Sequence, residues 1–72
     1  MGDIVREPVQ SSNLVSVGYD PVDSILEVEF KGGSVYHYLG VPRDVARELM
    51  EAPSPGRYLN EVIKPTYAYM KV

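Results

Sequence analysis

The 72-residue chain has no cysteine and no tryptophan, and only one histidine and one phenylalanine. Without cysteine it forms neither a disulfide nor a thiolate metal site. A lone histidine needs a second convergent ligand or an acid–base partner before it carries metal or proton chemistry. No apolar run approaches the roughly 18 residues of a membrane span. The stretch Met1-Gly2-Asp3-Ile4-Val5-Arg6-Glu7 lacks the apolar centre of a signal peptide, so a cytoplasmic protein is expected. Positive charge is scarce as well. Seven Lys and Arg stand against ten Asp and Glu, a net charge of −3. A broad nucleic-acid surface needs clustered cations, which leaves only a local basic patch open. There is no phosphate-binding Walker loop and no dinucleotide fingerprint. Nor does any Ser/His/Asp spacing point to a nucleophile.

Six tyrosines are what the chain has in plenty. Each buries a large ring and keeps a hydroxyl that wants a partner or water. Two of them lie in Ile25–Tyr38, where two alternating runs flank Gly32-Gly33. That is a strong hairpin signal. A two-residue loop would pair Val28 with His37 and put the histidine in the core. A three-residue loop, Lys31-Gly32-Gly33, pairs Val28 with Tyr36, Leu26 with Tyr38 and Glu27 with His37. The second register gathers the apolar and aromatic groups on one face and leaves His37 and Glu29 exposed on the other. It is preferred, as a type I turn closed by a left-handed Gly33. A one-residue slip would invert every side chain.

Leu14–Asp20 reads as a preceding strand. Strict alternation sets Val15, Val17 and Tyr19 on one face and Leu14, Ser16 and Gly18 on the other. Ser11-Ser12-Asn13 before it and Asp20-Pro21-Val22-Asp23-Ser24 after it are turn formers. Pro42 suits the first position of a helix whose stripe is Val45, Ala46, Leu49 and Met50. On its outer side Arg47 and Glu51 are spaced to pair. Pro53 ends this helix. Ser54 as N-cap and Pro55 open another, with Tyr58, Leu59, Val62 and Ile63 as its stripe. Pro65 ends it. Thr66–Val72 alternates Tyr67, Tyr69 and Lys71 against Ala68, Met70 and Val72. The expected fold is α+β: a three-stranded antiparallel meander with two short helices on one face. A C-terminal extended segment or short edge strand completes it. Residues 1–10 read as an extended, partly ordered lead-in and 11–72 as a single domain. A domain this small buries only about 60% of its unfolded surface, so its core is thin.

Val9–Leu14, Val17-Gly18-Tyr19-Asp20, Leu26–Phe30, Tyr36-His37-Tyr38, Val41-Pro42, Ala52–Asn60 and Ile63-Lys64 together resemble the KTSC domain. The likeness runs from about Val9 to Tyr69. This family is named for its occurrence at the C-terminus of some lysyl-tRNA synthetases. It also occurs as a free-standing bacterial and phage protein, and its central mark is Tyr-x-Tyr, here Tyr36 and Tyr38. Pro55 departs from the more usual polar residue. The family has no established activity, and its synthetase association implies RNA as a partner class.

The candidate residues divide in two. Ser12, Asn13, Tyr19, Tyr36, Tyr38 and Tyr58 are family-motif positions read as structural; the hairpin register places Tyr36 and Tyr38 in the core, against the alternative of a base-stacking platform. Ser54, Gly56, Arg57 and Lys64 are the candidate anion or RNA contact. A helix start offers free N–H groups, and Arg57 adds a fork of donors. His37 opposite Glu27 reads as a weak surface pair. The functional expectation is a small non-catalytic binding module, RNA-binding by resemblance. A structural or protein–protein interaction domain, homodimeric through a free sheet face or edge, is the alternative. No cofactor, metal, membrane or small-molecule substrate is inferred.

Overall fold

The central hairpin forms in the three-residue-loop register. In the computed structural model, which describes residues 4–72, Leu26 faces Tyr38, Val28 faces Tyr36 and Glu27 faces His37. The Phe30 N–H donates to the Ser34 carbonyl at 2.8 Å, and the Gly33 N–H closes the loop onto the Phe30 carbonyl at 3.1 Å. Gly32 and Gly33 have φ of 101° and 96°. Positive φ at Gly32, the third residue of the turn, is the type II signature and corrects the expected type I turn.

Among the described residues the sheet has five strands where three were expected. They are β1 (Arg6–Pro8), β2 (Leu14–Asp20), β3 (Ile25–Phe30), β4 (Val35–Leu39) and β5 (Tyr69–Lys71). They lie in chain order, every neighbour antiparallel. β1 arises inside the stretch read as lead-in, whose residues 1–3 lie outside the described residues. It is three residues long and ends in proline, so its own sequence carries no strand period. Pairing with β2 is what holds it. β5 takes the second of the two forms expected for the C-terminal stretch, an edge strand on β4.

β2 departs from strict alternation. Leu14 pairs with Phe30 but Ser16 pairs with Glu29, so Val15 is an extra residue in a β-bulge. The bulge reverses the phase at one end of the strand. Leu14 and Val17 both point into the core at 1% exposure, while Val15 turns outward. The expected grouping of Val15 with Val17 is thereby corrected.

After β4 the chain enters α1 (Arg43–Glu51), with Pro42 one residue earlier than expected, at the N-cap. Its carbonyl accepts the Ala46 N–H at 3.1 Å. Ala46 and Leu49 are buried, whereas Met50 sits at the edge of the stripe and is exposed. The expected Arg47–Glu51 ion pair is absent among the described residues. α2 (Pro55–Tyr58) follows and widens into a π-helical turn over Leu59–Ile63. There the Lys64 N–H reaches the Leu59 carbonyl five residues back at 2.8 Å. Leu59 and Ile63 still face the sheet, both at 1% exposure or less. With Leu14, Val17, Leu26, Val28, Tyr38, Val41, Ala46 and Leu49 they make one core. A fully buried Val- or Leu-sized side chain contributes about 1.5–3 kcal/mol, so these few residues carry most of the stability.

The other sheet face is not open to water as expected. Arg6 of β1 reaches Glu27 at 3.0 Å and Glu29 at 3.7 Å. His37 Nε2 lies 2.7 Å from Glu27 Oε1, and the Ser16 hydroxyl donates to Glu29 at 2.9 Å. His37 and Glu29 are consequently half-buried. The unforeseen strand β1 supplies the cation that makes this possible.

Candidate aromatic cleft

α1 packs on β2, and the turn of helix around Lys64 overhangs Phe30 at the end of β3. Between that overhang and strands β4 and β5 lies a cleft of about 480 Å³. Phe30, Ser34, Tyr36, Tyr38, Lys64 and Tyr69 line it. The register explains the grouping. Tyr36 and Tyr38 alternate onto one face of β4, and β5 sets Lys71 opposite Tyr36 and Tyr69 opposite Tyr38. Phe30 and Tyr36 meet edge to face at 5.4 Å. Tyr69 tilts against both Tyr36 and Tyr38, with centroids 5.7 Å apart in each case. Lys64 Nζ sits 5.6 Å from the Phe30 ring centroid, within reach of a cation–π contact.

The charges here are one-sided. Lys64 is the cation in the lining, Lys71 shares the face, and no carboxylate of the described residues lines the cleft. Burial, then the neighbouring Tyr36 and Tyr69, push the Tyr38 hydroxyl above its usual range, so it stays protonated and neutral. Tyr69 is 59% exposed and Tyr36 is half-buried. A flat ring entering the cleft would therefore meet aromatic surface, hydroxyl groups and an ammonium. The two tyrosines expected together in the core divide: Tyr38 is core at 2% exposure, while Tyr36 is half-buried and forms a cleft wall.

A second hollow of about 260 Å³ adjoins the first, sharing Phe30 and Lys64 with it. Asn13, Lys31, Gly56 and Asn60 supply its polar and backbone surface.

The sequence-predicted residues fall as follows. Gly56 and Lys64 come together in the second hollow. Ser54 is at the helix start, where its side chain makes no cap hydrogen bond. Arg57 is fully exposed and donates from Nε to Glu61 at 2.9 Å, which also holds its pKa up. Neither Ser54 nor Arg57 lines the cleft or the hollow. Asn13 follows Ser11, whose hydroxyl accepts the backbone N–H groups of Asn13 and Leu14 at 3.1 and 3.2 Å. Ser12 is exposed in the same turn. Tyr19 donates its hydroxyl to the Val41 carbonyl. Tyr58 donates to Glu48 at 2.7 Å, a bond between α2 and α1 that pushes its pKa up to about 12.

Phe30, Ser34 and Tyr69 are cleft residues that the sequence reading did not single out. The alternation of Tyr67, Tyr69 and Lys71 carried the signal for Tyr69, but only pairing with β4 gives it a neighbour. Among the described residues no group of three His, Cys, Asp or Glu is placed to hold a metal ion, and no helix is long and apolar enough to cross a membrane.

An antiparallel meander backed by two short helices, with an aromatic cleft where the helices stop, defines a small α+β domain class. The chain belongs to the KTSC domain family, whose model matches residues 10–67. It is 50% identical over 68 residues to an uncharacterized protein of Stutzerimonas stutzeri, covering 93% of this chain and 96% of that one. The crystal structure of a KTSC domain protein from Yersinia pestis superposes with a TM-score of 0.90 at 41% identity, covering 97% of this chain and 99% of that one. A lysine–tRNA ligase of Nostoc is 36% identical over 70 residues, 93% of this chain but 12% of the ligase.

Proposed function

We propose that this domain is a non-catalytic module that binds single-stranded RNA, with an unstacked base in the aromatic cleft and a phosphate at Lys64. The observation that carries this reading is the cleft's chemistry: aromatic walls from Phe30, Tyr36 and Tyr69 over the buried Tyr38, a lysine, and no carboxylate among the described residues. A base stacked on an aromatic side chain is worth about 1–3 kcal/mol and needs no sequence match. The kinship with lysine–tRNA ligases supports an RNA context. In this reading the phosphate contact expected at Arg57 passes to Lys64, because Glu61 already shares the Arg57 guanidinium.

The test is a titration of labelled single-stranded RNA at rising salt. Each phosphate neutralised on a single strand adds roughly −0.7 to the log–log slope. Lys64→Gln makes the slope shallower by about one such step, and Tyr69→Ala weakens binding without changing it. Absence of saturable binding at low salt overturns the proposal. A second reading rests on β5, an edge strand whose Tyr69, Met70 and Val72 region is 52–60% exposed. Self-association through that edge is its content, and sedimentation across a concentration series reads it.

A further inference from the structure

The cleft and the hollow beside it share part of their walls. Phe30 and Lys64 stand in the wall of both, so the two hollows flank the contact of the Lys64 ammonium with the Phe30 ring. Their chemistry differs on either side of that point. The cleft presents rings and hydroxyl groups. The hollow presents the carboxamides of Asn13 and Asn60 and the Lys31 side chain, again with no carboxylate among the described residues. A carboxamide offers a donor and an acceptor side by side, which matches a base edge; a ring face offers no such pattern.

We infer that the two hollows together form a track for two consecutive nucleotides. The first base stacks on Tyr36 and Tyr69, the intervening phosphate pairs with Lys64, and the second base meets Asn13 and Asn60. This rests on the RNA reading above and adds to it a site size and a division of labour. The cleft supplies sequence-tolerant affinity and the hollow supplies base preference. Two structural devices fix the geometry. The π-helical turn ends at Lys64, whose N–H bonds Leu59 rather than Asn60. The Asn13 carbonyl accepts the Lys31 N–H at 2.9 Å, which ties the hairpin loop to the Ser11–Asn13 turn and sets the far wall.

The experiment compares uridine 5′-monophosphate, a diuridine dinucleotide and a tetrauridine by calorimetry and amide chemical-shift mapping, on the whole protein and on Asn60→Ala. Asn60 is exposed, so the variant keeps the fold. The dinucleotide is expected to bind about tenfold tighter than the mononucleotide, the step one added base contact of ~1.4 kcal/mol gives. The tetranucleotide adds little beyond the second unit. Asn60→Ala removes most of the step while mononucleotide shifts at Tyr36 and Tyr69 persist. Mononucleotide binding in the cleft with no step at the second nucleotide, or a step untouched by Asn60→Ala, overturns the two-nucleotide track and leaves the RNA reading standing. No binding of any RNA length overturns both. Equal displacement of the RNA by poly-glutamate makes the site a general anion surface and overturns both as well.

Discussion

Gly18 is the position where a single carbon decides whether β1 stays on the sheet. It pairs with Arg6 on one side and Glu27 on the other. A Cβ added there would lie 2.5 Å from the Val5 carbonyl oxygen, 2.7 Å from Ile4 Cγ2 and 3.0 Å from Arg6 Cγ. The first of these is backbone and cannot rotate aside. Two effects oppose each other in Gly18→Ala. Reduced freedom of the unfolded chain stabilises by about 0.4–1 kcal/mol. Overpacking of this kind costs about 1–3 kcal/mol. The clash wins, with a net loss of about 1–2 kcal/mol. The chain relieves it by moving β1 outward, which draws Arg6 from Glu27 and Glu29. Thermal melts should show Tm falling by several degrees, since 1 kcal/mol shifts a domain of this size by about 4–8 °C. Amide exchange at Glu7, Val9 and Val17, which face across the β1–β2 ladder, should accelerate while exchange in β3 and β4 holds. A variant as stable as the parent, with β1 still protected, would refute the steric argument.

The remaining expectations are briefer. Leu49→Ala and Leu59→Ala each empty a site at 1% exposure or less, and urea melts should show each losing ~2–5 kcal/mol. Tyr58→Phe removes the hydroxyl held by Glu48, so an alkaline ultraviolet titration should lose an ionisation near 12. Because the folded value lies above the ordinary one of about 10, this bond contributes stability that is complete below pH ~10 and lost as pH rises through 12. Arg57→Ala leaves Glu61 uncompensated beside Asn60, so low-salt RNA affinity should fall; Arg57→Ala with Glu61→Gln should restore it, and failure of that rescue would return a direct contact to Arg57.

What was legible in the sequence follows from how local each cause is. The hairpin register could be read because Leu26, Val28 and Phe30 alternate against Glu27 and Glu29 over one short loop. The helical stripe through Ala46 and Leu49 was equally plain. The bulge at Val15 was not, since an extra residue leaves no mark in composition, and Val15 is as apolar as its neighbours. β1 was hidden for a different reason: Arg6-Glu7-Pro8 has no strand propensity and exists as a strand through its ladder with β2. The π-turn was hidden because Leu59 and Ile63 fit a four-residue spacing whether the backbone bonds step by four or by five. For the cleft, the lysine and both motif tyrosines were visible one by one. Their meeting with Phe30 and Tyr69 depends on β5 docking at the far edge, a contact more than thirty residues away in sequence.

The net charge of −3, taken as a sum, weighs against an anionic ligand. The fold shows why a sum is a poor guide here. Glu27 and Glu29 lie on the sheet face away from the cleft, and Arg6 and His37 sit against them. Glu48 accepts from Tyr58 and Glu61 from Arg57. Fields between exposed charges fade over a Debye length of about 8–10 Å at ordinary ionic strength. A ligand in the cleft therefore responds first to what lines it, and the charged group there is Lys64. The same segregation gives β1 a functional consequence. By bringing Arg6 to the outer face it lets two carboxylates sit half-buried in the sheet, and the hairpin can keep its apolar and aromatic side chains together on the face that forms the cleft.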